Sequence, residues 1–386
     1  MLNFKYHNPT KIIFGKGRIK DVAKEIPKGS RILITYGGGS VRRNGVLDQV
    51  MNALEGRDVL EFSGIEPNPE YDTLMKCVEL ARSERIDFIL AVGGGSVIDG
   101  TKFIAAAVPY QGDTWEIATS FGRRIGGSLP FGTVLTLPAT GSEMNSNAVI
   151  SRCSLNAKLL HSRHPSLFPV FSVLDPTTTY TLPPEQISNG IIDTFVHVTE
   201  QYLTYPVQGK LQDRFAEGLL LTLIEDGPVA LREPENYDVR ASLMWCATLG
   251  LNGLIGAGVP QDWATHMVGH ELTALYGLDH GKTLAIVLPA LLRARRNEKR
   301  DKLLQYAERV WGIVEGDDDA RIEAAIEKTQ AFFESLGVRT ALSAYGISNE
   351  CIPRVAELLE QHGLTRLGER SDITPDTVRE VLELCL

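Results

Sequence analysis

The chain has no long apolar run, no surplus of basic charge and no paired cysteines, and each absence narrows what it can be. No uninterrupted apolar stretch is long enough to span a bilayer. Lysine and arginine number 39 against 48 aspartates and glutamates, a net charge of −9. Nucleic acid and anionic membranes both demand a basic surface, so neither is expected as the main partner. The basic stretch RARRNEKRDK (residues 293–302) is interrupted by acidic residues and reads as a solvated helix face. Five scattered cysteines, Cys77, Cys153, Cys246, Cys351 and Cys385, form no CxxC pair. They read as reduced thiols of a cytoplasmic protein, and none is assigned to a metal. The opening MLNFKYHNPTKIIFGKG has no charged start followed by an apolar run, so no signal peptide is expected.

What is present divides the chain in two. A length of 386 residues is too great for one ordinary core and predicts two domains. Up to about residue 180, short β-branched runs alternate with helical patterns. RILITY, DFILAV, FGTVLTLPA and FPVFSVLDP are strand candidates; VRRNGVLDQVMNALE and SVIDGTKFIAAAV have helical spacing. This alternation predicts an α/β domain over 1–180, with a doubly wound, mostly parallel sheet. After DPTTTYTLPPEQ the β-branched runs stop. RFAEGLLLTLIEDG, VRASLMWCATLGLNGL, KRDKLLQYAERVWGIV and ARIEAAIEKTQAFFESLG predict an all-helical domain over 181–386. The acidic EGDDDARIE reads as a loop entering a helix N-terminus, where carboxylates suit the macrodipole.

The element GGGS occurs twice, at Gly37–Ser40 and Gly93–Ser96, each time after a strand candidate and before a helical pattern. A strand, a glycine turn and a helix N-terminus offer free backbone N–H groups to a phosphate, which predicts dinucleotide binding. The pattern is not the GxGxxG fingerprint of a standard Rossmann domain. The first loop, Tyr36-Gly37-Gly38-Gly39-Ser40, carries no carboxylate for a ribose 2′-hydroxyl, and Arg42 and Arg43 follow it. Glycine amides, a serine hydroxyl and guanidinium groups suit a 2′-phosphate, so NADP(H) is the expected cofactor.

Two further segments carry metal chemistry. Asp193 and His197 are four apart in NGIIDTFVHVTEQY, so a helix stacks both on one face. WATHMVGHELTALYGLDHG supplies His266 and His280. One carboxylate and three imidazoles hold a divalent first-row ion and leave a position for a substrate oxygen. His270-Glu271 begins an HExxH pattern, but position 274 is Ala274, so the metalloprotease reading fails. His7, His161, His164 and His362 have no partners at ligand spacing and read as structural.

Taken in order, GGGSVID (Gly93 to Asp99), LPATGSE (Leu137 to Glu143), LDPTTTYTLPP, the Asp193/His197 pair and HMVGHELTALYGLDHG make the chain resemble the iron-dependent (group III) alcohol dehydrogenases. The resemblance runs over essentially the whole length. It is closest to the branch of butanol dehydrogenases and NADPH-dependent aldehyde reductases. It implies a dehydroquinate synthase-like architecture, with Gly94, Gly95, Ser96 and Asp99 at the cofactor pyrophosphate and nicotinamide ribose. Thr136, Thr140 and Lys158 are implied as further cofactor contacts. The resemblance also implies Asp193, His197, His266 and His280 as metal ligands and His270 as a nearby group concerned with proton transfer. The usual PTTAGTGSE run is shortened here to PATGSE, which bears on Thr140. The metal implied is zinc or iron, and the general affinity order favours zinc. The implied reaction is hydride transfer between NADPH and a short- to medium-chain aldehyde, or a primary alcohol in reverse, in a homodimer. A polyol dehydrogenase and a metal- and NAD-dependent carbocycle-forming lyase share the architecture. The lyase needs a basic cluster beside the metal, and the segments around His197 and His266 offer no Lys or Arg before Lys282.

Overall fold

The computed structural model describes residues 1–155 and 164–386, and between them the backbone alone of Ala157–His161. By internal contacts the chain falls into two compact units. One comprises His7–Leu182 with Pro234–Thr248; the other comprises Met1–Tyr6, Pro183–Glu233 and Leu249–Leu386. A single cut near residue 180 therefore omits two exchanges, of the first six residues and of the segment 234–248, which apolar patterning gives no means to see.

The first unit is built on a six-stranded sheet, every pairing parallel. Its strands are β1 (Lys11–Phe14), β2 (Arg31–Thr35), β3 (Asp58–Phe62), β4 (Phe88–Gly94), β5 (Phe131–Leu137) and β8 (Phe171–Leu174), in spatial order β1-β8-β5-β4-β2-β3. A two-stranded antiparallel hairpin, β6 (Ala148–Arg152) and β7 (Ala157–His161), stands apart from it. Both faces of the sheet are covered, as parallel sheets require. Ile32, Ile34, Phe88, Leu90, Val92, Val134 and Val173 enter one core; Leu33, Ile89, Ala91, Leu135 and Leu174 enter the other. The alternation follows the two-residue period of a strand, and burial on both sides explains why these segments read as unbroken apolar runs.

One expectation is refined, and two strands join those read from the sequence. VRRNGVLDQVMNALE is two short helices, Ser40–Arg43 and Val46–Ala53, because Gly45 adopts φ 76 between them. β1 and β3 carry weak patterns of their own because both are edge strands, only partly buried.

β2 leads outward to β3, whereas β4 leads the other way to β5, so the sheet changes direction between β2 and β4. Thr35 pairs with Ala91, which puts the two GGGS loops side by side at the carboxyl ends of these adjacent strands. In open α/β sheets such a switch point is where ligands bind.

The second unit is helical. Its central helix, Pro184–Tyr202, starts at a proline, whose missing N–H costs nothing in a first turn. It is buried on nearly every face from Ile187 to Tyr202 and packs against the helices Lys210–Arg232 and His280–Ala294. The helix Asp318–Ser335 begins as its acidic sequence predicts, with the Asp317 carboxylate accepting from Ala320 N at 2.9 Å. The basic run at 293–302 is not wholly solvated. Lys299 is fully buried between Asp262 (2.8 Å) and Glu369 (2.9 Å), and Lys302 is buried against Asp213 (2.7 Å). Among the described residues no helix is long and apolar enough to cross a membrane.

Candidate metal centre and dinucleotide site

In the helical unit, Asp193 and His197 lie one turn apart on Pro184–Tyr202. His266 sits in the first turn of the helix Ala264–Tyr276, and His280 opens the next helix, His280–Ala294. Gly277, at φ 67, ends the first of these helices so that the chain can turn back. The three histidines surround one carboxylate oxygen. Asp193 Oδ1 is 3.5 Å from His266 Nε2, 3.6 Å from His197 Nε2 and 3.8 Å from His280 Nε2. Asp193, His266 and His280 each offer a ligand atom within 4.8 Å of the others. Rings of His197 and His266 stack at 4.6 Å. His270 lies one turn beyond His266, its ring 4.8 Å from that of His280.

This donor set fits a divalent ion. Ligand atoms about 2.1 Å from one tetrahedral ion are about 3.4 Å apart, close to the spacings of Asp193 Oδ1 from the three histidines. Asp193 Oδ1 and His266 Nε2 are buried atoms with no hydrogen-bond partner, and atoms of that kind call for an explanation such as an ion. Burial by itself would raise the Asp193 pKa, but the surrounding imidazoles of His197, His266 and His280 hold it well below the usual carboxylate range. Burial likewise opposes a charge on His266, yet Glu200 and Asp193 push it up to about 9.

Glu200 is a residue the sequence reading passed over. It lies on the same helix as Asp193, is buried, and accepts a short hydrogen bond from His266 Nδ1. Its spacing, three beyond His197 and seven beyond Asp193, was the available signal, since both intervals repeat one helix face. Trp263, immediately before the His266 helix, adopts φ 67 and stands edge-on to His266 and His197, centroids 5.5 and 6.1 Å away. Glu271, by contrast, pairs with His362 Nδ1 at 2.8 Å, so the second residue of the failed HExxH pattern has a structural partner.

In the α/β unit the second glycine loop opens the helix Gly95–Ala107. A Cβ on Gly94 would stand 2.9 Å from Leu137 Cβ, and one on Gly95 would stand 2.5 Å from Thr140 Oγ1. Only glycine lets the loop and the end of β5 press together, which brings Thr136 and Thr140 to the same edge. In the first loop Gly39 has φ 92, and Gly38 is exposed with nothing within 4 Å of where a Cβ would stand. The exposed residues Gly38 and Ser40 and the start of the Gly95–Ala107 helix make a cradle that fits a dinucleotide's phosphates.

Asp99 accepts from Ser142 Oγ (2.6 Å) and Val149 N (2.9 Å). Below it Lys102 is fully buried and donates to Ser142 Oγ (2.7 Å), Asn145 Oδ1 (3.1 Å) and Asn147 O (2.7 Å). Burial brings its pKa down to about 8 against the pull of Asp99 and Glu143. Lys158 lies in β7 opposite Ser151, and its side chain falls outside the described residues.

The first loop also has a carboxylate near it after all. Glu61, in β3, accepts from Tyr36 Oη at 2.9 Å and from Arg42 at 2.5 Å, and Arg42 also donates to Tyr36 Oη. It falls just over twenty residues beyond the glycine loop, at the interval where an acidic residue commonly serves a ribose. Arg42 covers its charge here.

A helical unit with a cluster of imidazoles around one carboxylate, and an α/β unit with glycine loops at its switch point, define a metal- and dinucleotide-binding class of protein. Residues 9–176 match the family described as iron-containing alcohol dehydrogenase, and residues 187–384 match the C-terminal family of Fe-containing alcohol dehydrogenases. The chain belongs to this family. It is 63% identical over 386 residues to the NADPH-dependent aldehyde reductase YqhD of Escherichia coli, with 99% of each chain covered. It is 40% identical to NADH-dependent butanol dehydrogenase A of Clostridium acetobutylicum, again over 99% of each. Among solved structures, that of Escherichia coli YqhD matches with a TM-score of 0.99 at 61% identity, covering 100% of this chain and 99% of that one. A Thermotoga maritima structure described as NADH-dependent butanol dehydrogenase A matches with a TM-score of 0.94 at 36% identity, with 100% and 99% coverage.

Proposed function

We propose that the protein is a metal-dependent, NADP(H)-linked alcohol dehydrogenase working as an aldehyde reductase on short- to medium-chain aldehydes. The observation that carries this reading is the convergence of Asp193, His197, His266 and His280 on one buried point. The strong likeness to an NADPH-dependent aldehyde reductase stands beside it. Those four side chains would hold one divalent ion, Zn²⁺ or Fe²⁺; the family descriptions speak of iron, the general affinity order of zinc. When bound, the ion supplies Lewis-acid polarisation of a carbonyl oxygen, and NADPH supplies the hydride.

The remaining roles belong to the chain itself. Gly37, Gly38, Gly39 and Ser40 receive the adenosine end of the cofactor. Gly94, Gly95 and Ser96, backed by Thr136 and Thr140, receive the pyrophosphate and nicotinamide end, with Asp99 and Lys158 beside the ribose. His270, whose ring lies 4.8 Å from that of His280, would pass a proton to the reduced carbonyl oxygen, giving the product hydroxyl. NADP(H) rather than NAD(H) is favoured by Arg42 and Arg43 after the first loop, since Arg42 neutralises Glu61, a carboxylate that could serve a bare ribose.

We further read the protein as a cytoplasmic homodimer. All five cysteines are free thiols, and Met1, Leu2, Phe4 and Tyr6 expose an apolar segment, 42–52% accessible, of the kind that a second copy covers. The test is NADPH oxidation with a panel of short aldehydes, with metal content measured on the same sample. Turnover that depends on metal and prefers NADPH is expected. Full activity after exhaustive chelation, or equal use of NADH, overturns the metal or the cofactor part respectively.

A further inference from the structure

We propose that Glu200 is a positioning residue of the metal centre: it acts through His266, fixing that ring so that Nε2 faces Asp193. The inference rests on the metal-binding reading above and extends it to a side chain outside the ligand set.

The helix that carries His266 starts under constraint. Trp263 at its N-terminus is a bulky residue in the left-handed region, a conformation that persists only where the surroundings enforce it. Two buried carboxylates supply the enforcement. Asp262 Oδ1 accepts from Ala264 N at 3.0 Å, while its other oxygen meets the buried Lys299 at 2.8 Å. Glu200 Oε1 accepts from Thr265 N at 2.6 Å, and the Glu200 carbonyl accepts from Asp262 N at 2.8 Å. Residues 262–266 are thus wrapped around Glu200, and its second oxygen, Oε2, takes the hydrogen bond from His266 Nδ1.

A hydrogen donated from Nδ1 leaves Nε2 as the ring's available lone pair in the neutral imidazole. Nε2 is the atom 3.5 Å from Asp193 Oδ1. Glu200 therefore sets both the tautomer and the rotation of the ring. A carboxylate behind a ligating imidazole also raises its basicity, and loss of such a partner typically weakens metal binding about 10- to 100-fold. Among the described residues Glu200 is the carboxylate that hydrogen-bonds His266 Nδ1, and the Asp193 contact lies on the opposite nitrogen.

The experiment is a double-mutant cycle on the full-length chain: wild type, Glu200→Gln, His266→Ala and the pair together. Zn²⁺ affinity is read by competition with a chromogenic chelator, and the melting temperature of the stripped protein is read alongside it. Co²⁺ loading adds the d–d absorption spectrum, which reports the ligand field and is blind to mere loss of stability. Glu200→Gln is expected to weaken Zn²⁺ about 10- to 100-fold and to shift the Co²⁺ bands, with the stripped protein still folded. In the His266→Ala background the same substitution is expected to change affinity by less than about twofold, because its route is gone. If Glu200→Gln does not fold, Glu200→Asp, which keeps the charge but retracts the oxygen, takes its place in the cycle. Wild-type affinity in the Glu200 variant, or an equal loss with and without His266, overturns the inference while leaving the metal site in place. A wild-type protein that binds no Zn²⁺ or Fe²⁺ overturns the metal reading itself.

Discussion

Asp193 and Glu200 stand two turns apart on one helix and face opposite nitrogens of the same ring: Asp193 Oδ1 is 3.5 Å from His266 Nε2, and Glu200 Oε2 bonds His266 Nδ1. Two buried carboxylates flanking one ring are costly in a packed helical core unless positive charge, on the imidazole or from a bound cation, offsets them. That relationship is the physical basis for expecting metal here, and it makes the two carboxylates separable by experiment.

Asp193→Asn removes the only carboxylate in the proposed ligand set. Its effect on metal affinity is expected to exceed the roughly 10- to 100-fold loss typical of an outer partner. NADPH binding, followed by nucleotide fluorescence, is expected to stay within about twofold, because the cofactor loops lie in the other unit. An Asp193→Asn protein that retains stoichiometric metal and full turnover removes this residue from the coordination sphere.

Gly95→Ala is expected to damage cofactor binding through packing. The new methyl would stand 2.5 Å from Thr140 Oγ1 and 2.7 Å from Thr140 Cγ2. Overpacking of this kind costs about 1–3 kcal/mol, so the melting temperature falls and KM for NADPH rises. Trimming the opposing side chain in Gly95→Ala/Thr140→Ala is expected to recover most of the stability. Additive losses in the double variant would refute the contact.

The pair Arg42 and Glu61 bears on cofactor choice. Arg42→Ala leaves Glu61 uncovered beside the first glycine loop, where a carboxylate repels a 2′-phosphate and suits a 2′-hydroxyl. KM for NADPH is expected to rise roughly tenfold, as for loss of one charge-assisted hydrogen bond, while KM for NADH holds or falls. Glu61→Gln should tilt the ratio the other way. Equal shifts for both nucleotides in Arg42→Ala would sever this pair from selectivity.

Lys102 gives a pH signature. Burial lowers its pKa to about 8 in the folded protein, whereas the unfolded chain holds the ordinary value near 10.5. Between those values the unfolded state binds more protons, so this group makes stability rise with pH, by up to about 3 kcal/mol across the window. Below about pH 8 the buried ammonium carries its full penalty. Lys102→Met lacks the effect, so its stability deficit relative to wild type is expected to widen from pH 8 to pH 10 in thermal melts. A constant deficit would show that Lys102 does not titrate in that range.

The sequence was most legible where burial was two-sided or where chemistry recurred at helical spacing. The central strands β2, β4 and β5 announced themselves because both faces are buried; β1 and β3, at the edges, did not. Asp193 and His197 were legible together because four residues make one turn, and His266 and His280 because both are imidazoles in one short block. Glu200 lay on the same face and went unread, since a glutamate on a helix looks like solvent-facing charge until its burial is known. Glu61 went unread for a different reason: its partners Tyr36 and Arg42 reach it across neighbouring strands.

By itself the sequence determined the two textures of the chain, the two glycine turns after strands, and the inventory of metal-binding side chains. Those are local properties, set by strand and helix periods and by residue type. Which nitrogen of each histidine faces Asp193, that Glu200 stands behind His266, that Lys102 and Lys299 are buried, and that Glu61 meets Arg42 were decided only by the tertiary structure. Each depends on distances of a few ångströms between elements far apart in the chain, which the packing of helices and strands fixes and no spacing along the sequence encodes.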